Sequence, residues 1–178
     1  MIRRPPRSTL SSSSAASDVY KRQQKSSVET DSGSSKSSQN ENSKFDTWMK
    51  ELKGKSISRP KLRNTVMEML LDDATETPEI NKWYYFEYDP KFKDQLGEWD
   101  EFPLIKLLER KNDIYLGANL HYLSGKARLS AINTDKYPNS SLHYYIPKNA
   151  DSIFFEVGEQ DIQLLSQLPL DKFHRKYK

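Results

Sequence analysis

The chain has 178 residues, with 28 lysines and arginines against 25 aspartates and glutamates, 35% hydrophobic residues and no cysteine. The lack of cysteine excludes disulfide bonds and thiolate metal sites, and the three histidines do not have the spacing of metal ligands. No apolar run approaches the roughly 20 residues needed to cross a bilayer, so the sequence predicts no membrane partner.

The first 23 residues, MIRRPPRSTLSSSSAASDVYKRQ, resemble a translated sequencing adaptor, and we interpret 1–23 as a non-native segment. They contribute five basic residues and one acidic residue. The rest of the chain then holds 23 basic and 24 acidic side chains. Its net charge of about −1 gives no argument for a nucleic-acid partner, which would need a local basic patch. The serine-rich residues 24–44 are predicted to be a disordered linker, since they cannot bury enough apolar surface to fold.

Residues 45–81 are predicted to form a helical N-terminal extension. The stretch FDTWMKELKG favours a short helix capped by Asp46 and ended by Gly54, and apolar residues at helical spacing predict a second helix over 60–71. This is the most basic part of the chain, and solvated helix faces and phosphate contact both remain open as explanations. The basic residues are Lys53, Lys55, Arg59, Lys61 and Arg63.

Residues 82–178 are predicted to form the core domain. KWYYFEY has the composition of a strand, and FPLIKLLERKNDIYLGANLHYL predicts two antiparallel strands around a turn at 110–113. Alternation along the second strand separates two faces. We expect the core to receive Ile114, Leu116, Ala118, Leu120 and Tyr122. The opposite face carries Tyr115, Gly117, Asn119, His121 and Leu123.

The remainder of the chain predicts further helices and strands. SGKARLSAI indicates a helix capped by Ser124, LHYYI and SIFFEV indicate two strands, and a last helix is expected between Gly158 and Pro169. Five strands with helices between and around them predict an α+β domain. We expect a small, strongly curved antiparallel sheet of the SH3-like barrel type, with short N-terminal and C-terminal helices.

No catalytic motif is present, and we predict neither an enzyme nor a cofactor or metal site. The acidic stretch GEWDEF could hold a divalent cation, but a solvated acidic loop is the preferred interpretation. His121 as a general base would need an orienting carboxylate and a substrate, and the sequence shows neither. Instead, Tyr115, Asn119 and His121, followed by Lys126 and Arg128, combine stacking, hydrogen-bonding and cationic groups that suit a nucleic-acid backbone or end.

The same region is similar to a family of small phage proteins. Its motifs are YDPK at 88–91, a WDEFPL segment at 99–104, GANLHYL at 117–123 and the basic helix start with Lys126 and Arg128. Over roughly 82–178 these motifs resemble DNA end protector proteins of contractile-tailed phages. The most specific of them is G-x-N-x-H-Y-L.

The resemblance implies a non-enzymatic virion protein that binds the ends of packaged linear double-stranded DNA and blocks host exonuclease. It would reside in the virion, and in the host cytoplasm during assembly and after DNA injection. Its expected DNA-binding residues are Tyr115, Asn119, His121, Lys126, Arg128 and Lys91. The alternative is a structural head-completion, neck, tail or baseplate component that binds other phage head or tail proteins. A ribonuclease toxin with an SH3-like fold is a third, weaker alternative.

Overall fold

The computed structural model describes residues 43–146 and 153–176. The predicted adaptor segment and almost all of the predicted linker lie outside these residues. Ser43 and Lys44, which the sequence placed at the end of the linker, already form the cap and the first residue of the first helix.

Two helices open the described chain, α1 at Lys44–Leu52 and α2 at Arg59–Met69. The cap of α1 is Ser43, whose hydroxyl oxygen accepts hydrogen bonds from the amides of Phe45 and Asp46 at 3.1 and 3.4 Å. The predicted cap, Asp46, is therefore wrong by one turn: it lies inside the helix, where its charge still favours the N-terminus. Gly54 ends the α1 region in the left-handed conformation, with φ of 85°.

The strands form a six-stranded sheet and a separate pair, all antiparallel. The strands of the first half are β1 Ala74–Thr75, β2 Trp83–Phe86, β3 Glu98–Asp100 and β4 Leu104–Lys111. Those of the second half are β5 Ile114–Asn119, β6 Leu142–Tyr145, β7 Phe154–Val157 and β8 Phe173–Arg175. The order of the large sheet is β1-β7-β2-β4-β5-β6, and β3 pairs with β8. The predicted hairpin is confirmed as β4 and β5, and its turn places Asn112 at φ of 52°.

Ring contacts across the large sheet show how strongly it curves. Phe154 on β7 lies 5.6 Å from Tyr115 on β5, although two strands separate them and a flat sheet would place them about 14 Å apart. Phe86 on β2 likewise contacts Tyr145 on β6, with ring centroids 5.8 Å apart. The sheet stays open, since β1 and β6 form its two ends, and the SH3-like barrel is not confirmed. The mixed helix and strand architecture with an antiparallel sheet is confirmed.

The curvature gives the sheet two apolar interiors. The concave face folds over its own aromatic residues, including Tyr84, Phe86 and Tyr115. The other face packs against helices, with Trp83 and Leu104 beside apolar residues of α1 and α2. Most of the sheet is therefore covered on both sides.

Two more helices, α3 at Gly125–Thr134 and α4 at Ile162–Leu165, complete the helical layer. Ser124 precedes α3 as predicted, although only its carbonyl bonds the helix, accepting from the amide of Arg128 at 2.9 Å. No helix within 43–146 or 153–176 combines the length and apolar character that a membrane crossing needs.

Gly117 in β5 is required by close packing on the concave face. A Cβ atom built on it would lie 2.7 Å from Cδ1 of Ile105 and 3.2 Å from Cε2 of Tyr145. Both neighbours are buried in the same core. The first position of the GANLHYL motif therefore serves packing, because any side chain there would push the curved sheet apart.

Candidate nucleic-acid interface

The polar face predicted on β5 is buried. Tyr115 is 9% exposed, Asn119 is 0% exposed and the His121 side chain is fully covered. The prediction that this face points to solvent is wrong, because it is the concave face of the curved sheet and lies in its aromatic core. On the opposite face, which was predicted to be the core, Ile114 is 43% exposed. In this conformation the three side chains cannot contact DNA.

Asn119 and His121 instead belong to a buried network centred on Asp100 of β3. Nδ1 of His121 lies 2.6 Å from Oδ2 of Asp100, and the Asn119 amide donates to the same oxygen at 3.4 Å. The other carboxylate oxygen accepts from the backbone amides of Phe102 at 3.1 Å and Lys172 at 3.0 Å. One buried carboxylate thus joins β3, the turn after β5 and the chain that leads into β8.

The charge of Asp100 is stabilised inside the protein. Burial opposes ionisation, but the His121 hydrogen bond and the two backbone amides outweigh it and hold the pKa of Asp100 below its usual value. An ionised carboxylate only accepts hydrogen bonds, so Nδ1 of His121 must be the donor. The acidic stretch at 97–102 is therefore not a solvated loop, which corrects that interpretation.

Lowering the pH should weaken the fold through this carboxylate. Because the pKa of Asp100 is lower in the folded chain than in the unfolded one, its stabilising effect is present above the ordinary aspartate range near pH 4. It is lost as the pH falls through the folded-state pKa. Urea unfolding across pH 6 to 2.5 should show the stability advantage of the wild type over Asp100→Asn shrinking towards the acid end. If the difference in unfolding free energy between the wild type and Asp100→Asn stayed constant across this range, the ionised Asp100 would not be the source of the stability.

The Asp100–His121 pair also bears on catalysis. The orienting carboxylate that the sequence did not reveal is present, and Nε2 of His121 has no hydrogen-bond partner among the described residues. The imidazole side chain is nevertheless 0% exposed, so a substrate has no access to this nitrogen. No group of three or more metal-ligating side chains occurs within 43–146 and 153–176. The role of the pair is therefore to stabilise the fold.

Arg128 is not a free cation. Its guanidinium donates to three backbone carbonyls, those of Leu123 at 2.9 Å, Ser166 at 2.6 Å and His121 at 3.3 Å. These hydrogen bonds link the first turn of α3 to the turn after β5 and to the end of α4. Three of the five guanidinium N–H groups are thus engaged inside the protein, and a DNA contact at Arg128 stays a prediction.

Lys126 and Lys91 do lie on the surface, as the DNA-binding prediction requires. Neither forms an ion pair with a carboxylate among the described residues. Lys126 is in the first turn of α3, four residues after Tyr122. The backbone amide of Lys91 donates to the carbonyl of Ile146, which places Lys91 beside the end of β6. These two of the six predicted residues remain available to phosphate groups.

Three aromatic side chains missed by the sequence prediction form a partly exposed cluster near the buried network. Tyr122 stacks on His143 with ring centroids 4.0 Å apart, and Phe173 meets Tyr122 edge-on at 5.0 Å. All three side chains are half-buried. We call Tyr122, His143 and Phe173 the ring cluster. A sequence signal existed for Tyr122, which follows His121 in the motif, but β6 and β8 bring the other two from distant parts of the chain.

The ring cluster is close to uncharged at neutral pH. Burial lowers the pKa of His143, and it raises that of Tyr122 with help from the nearby Asp100 charge. Neutral, half-exposed rings offer faces on which a nucleic-acid base can stack. A second stacked pair, Trp99 and His174 at 4.9 Å, lies on the neighbouring β3–β8 ladder. The arrangement can therefore stack on planar groups.

The chain matches the model of a known protein family. The family model of the phage T4 terminal DNA protecting protein matches residues 53–141, which is half of the chain. The match contains Asp100, the GANLHYL motif and α3, and it ends before β6, so it covers only Tyr122 of the ring cluster. No curated protein and no solved structure shows a significant match.

Proposed function

The chain belongs to the family of phage T4 terminal DNA protecting proteins, and we propose that its ring cluster holds the end of a DNA duplex. Membership gives the class of function: the protein binds and protects the ends of phage DNA in the virion. The family is one of DNA protecting proteins and not a known class of enzyme. What the proposal adds is the surface that makes the contact.

The observation that carries the proposal is the stacked pair of Tyr122 and His143 beside Phe173. A duplex end differs from the rest of DNA in presenting the open face of its last base pair, and aromatic rings can stack on that face. Stacking of this kind contributes about 1 to 3 kcal/mol per base. Lys126 and Lys91 would neutralise phosphates next to the stacked base pair.

Binding of this kind would protect the DNA end by blocking access to it. An exonuclease must reach the terminal phosphodiester, and a protein seated on the last base pair blocks that approach without any chemistry of its own. We propose that the same contact persists from assembly in the host cytoplasm, through the virion, to the host cytoplasm again after injection. This extends the virion location that the family gives.

A direct test is exonuclease digestion of blunt linear duplex at low salt. Wild-type protein is expected to slow digestion. His143→Ala and Phe173→Ala are each expected to weaken protection about 5- to 150-fold, the loss of stacking with one base. The matched control is Tyr144→Ala. Tyr144 is 69% exposed and lies on β6 beside His143 but on the opposite face, since neighbouring strand residues alternate.

Equal digestion with and without wild-type protein would refute DNA-end protection by this chain. Equal protection by the wild type and the ring-cluster variants would be compatible with DNA-end protection but would refute the proposal that the ring cluster makes the contact. Urea unfolding of each variant shows whether a loss of protection reflects a loss of folding instead.

A second candidate function, binding to other head, neck, tail or baseplate proteins, is favoured by a different surface. β6 is an end strand of the sheet, and Tyr144 lies opposite Leu116, with Ile114 43% exposed on the same side. Exposed apolar side chains on the end strand of a sheet suit a protein partner. Chemical cross-linking in purified particles tests this candidate, since it predicts protein partners that the Tyr144→Ala variant loses.

A further inference from the structure

The connection between α1 and α2 and the first turn of α2 carry an exposed group of cations. Within residues 53–61, here called the basic segment, four of the nine side chains are basic and all four are exposed. They are Lys53, Lys55, Arg59 and Lys61. The family match begins at Lys53, so the basic segment lies inside the region shared with the family, although it precedes the motifs recognised in the sequence.

The charges of the basic segment are largely uncompensated. Its only ion pair among the described residues joins Arg59 to Asp171 across 4.0 Å. Some exposed cations elsewhere are neutralised more closely: Lys93 lies 3.1 Å from Asp89, and Lys172 lies 2.7 Å from Glu101. Uncompensated positive charge at one place on a nearly neutral protein attracts a polyanion.

The start of α2 adds to this positive potential. Ser58 makes no capping bond with its side chain, and the first turn contains no acidic residue. Free amide groups at a helix N-terminus favour anions. Arg59 and Lys61 flank these amides and increase the effect.

The structure places the basic segment next to the ring cluster. Arg59 pairs with the Asp171 side chain, and Nη1 of Arg63 donates to the Asp171 carbonyl at 3.4 Å. Asp171 is two residues before Phe173, a distance of about 7 Å along an extended chain. The backbone between them is fixed because the amide of Lys172 donates to Asp100 at 3.0 Å. Arg59, within the basic segment, therefore lies beside the chain that leads directly into Phe173 of the ring cluster.

We propose that the basic segment binds phosphates of the same DNA duplex, a few base pairs inward from the end that the ring cluster covers. This inference rests on the proposed function and gives the interface a second contact of different chemistry. The rings recognise the end, and the lysines supply affinity that is independent of sequence and sensitive to salt. Phosphates repeat about every 3.4 Å along each strand, so a duplex stacked on the rings offers several within reach of the segment.

The test measures binding of full-length protein to a hairpin duplex with one blunt end, as a function of salt. The variant is Lys53→Gln/Lys61→Gln, and its matched control is Lys111→Gln/Lys136→Gln, which removes two exposed lysines elsewhere. Loss of two phosphate contacts should lower the slope of log affinity against log salt by about 1.8. Between about 50 and 200 mM salt the affinity of the variant should then fall roughly tenfold less than that of the wild type.

A dumbbell duplex, closed by hairpins at both ends, separates the two proposals. An unchanged slope for Lys53→Gln/Lys61→Gln, in a protein that still prefers the blunt end to the dumbbell, would overturn the basic segment alone. An equal drop for the control pair would overturn it as well, since the charge effect would then be general. A wild-type protein that binds both duplexes equally would overturn the end-binding function and this inference with it.

Discussion

Replacing Asp100 by alanine is expected to lower the free energy of unfolding by about 3 to 5 kcal/mol, the cost of breaking a buried charged pair. The change leaves His121 and two backbone amides without their common acceptor in the interior. A buried donor without a partner is costly, because water satisfied it in the unfolded chain. We expect a large drop in the urea midpoint with a similar m-value.

The matched control for this prediction is Glu98→Ala, two residues earlier on the same strand. Glu98 pairs with Arg175 at 2.5 Å, but Arg175 is 71% exposed, so this ion pair should be worth less than about 1 kcal/mol. Asp100→Asn keeps the shape and one acceptor oxygen and should fall between the two. A cost for Asp100→Ala as small as that for Glu98→Ala would show that the network is not an important support of the fold.

The same substitution connects stability with function. Asp100 fixes the turn that carries Tyr122 and the chain that carries Phe173, so these two rings depend on it for their relative position. In conditions where Asp100→Asn remains folded, its protection of DNA ends should be weaker, although the carboxylate itself touches no DNA. This distinguishes a positioning role from direct contact.

Much of the fold followed from local patterns in the sequence. The five predicted strands all occur in the large sheet, the β4–β5 hairpin turns where polar residues indicated, and Gly54 has the left-handed conformation expected of it. Strands β1, β3 and β8 were missed, because two or three residues are too few to show periodicity. Their pairing depends on contacts between distant segments.

The candidate site was predicted less well, for a physical reason that β5 illustrates. Alternation separates the two faces of β5 but does not say which of them is buried. The aliphatic face was expected inside, yet Ile114 on that face is 43% exposed. Asn119 and His121 are buried instead, and Asp100 satisfies their hydrogen bonds. A polar pair of this kind looks the same in a sequence whether solvent or a buried carboxylate satisfies it. Gly117 held a clue, since glycine within a strand often marks a close neighbour.

The second large expected effect concerns Arg128. The sequence predicted that it contacts DNA, whereas in the structure its guanidinium binds backbone carbonyls and stabilises the fold. Arg128→Met keeps most of the aliphatic stem but removes the guanidinium that holds three backbone carbonyls. We expect unfolding to become easier by about 2 to 4 kcal/mol, as hydrogen bonds from a charged group are lost and buried carbonyls remain unpaired. Differential scanning calorimetry and urea unfolding should both report the change.

Arg128→Lys separates support from contact, because lysine keeps the charge but lacks the planar fork that reaches several acceptors at once. If Arg128 supports the fold, Arg128→Lys should lose a large part of the stability that Arg128→Met loses. If it binds phosphate, Arg128→Lys should fold normally and keep its salt-dependent DNA affinity. Lys126→Met, two residues earlier in the same helix and exposed, is the matched control and should change stability by no more than about 0.5 kcal/mol. Stability losses in this order would place Arg128 in the framework behind the DNA surface and leave Lys126 as the cation on that surface.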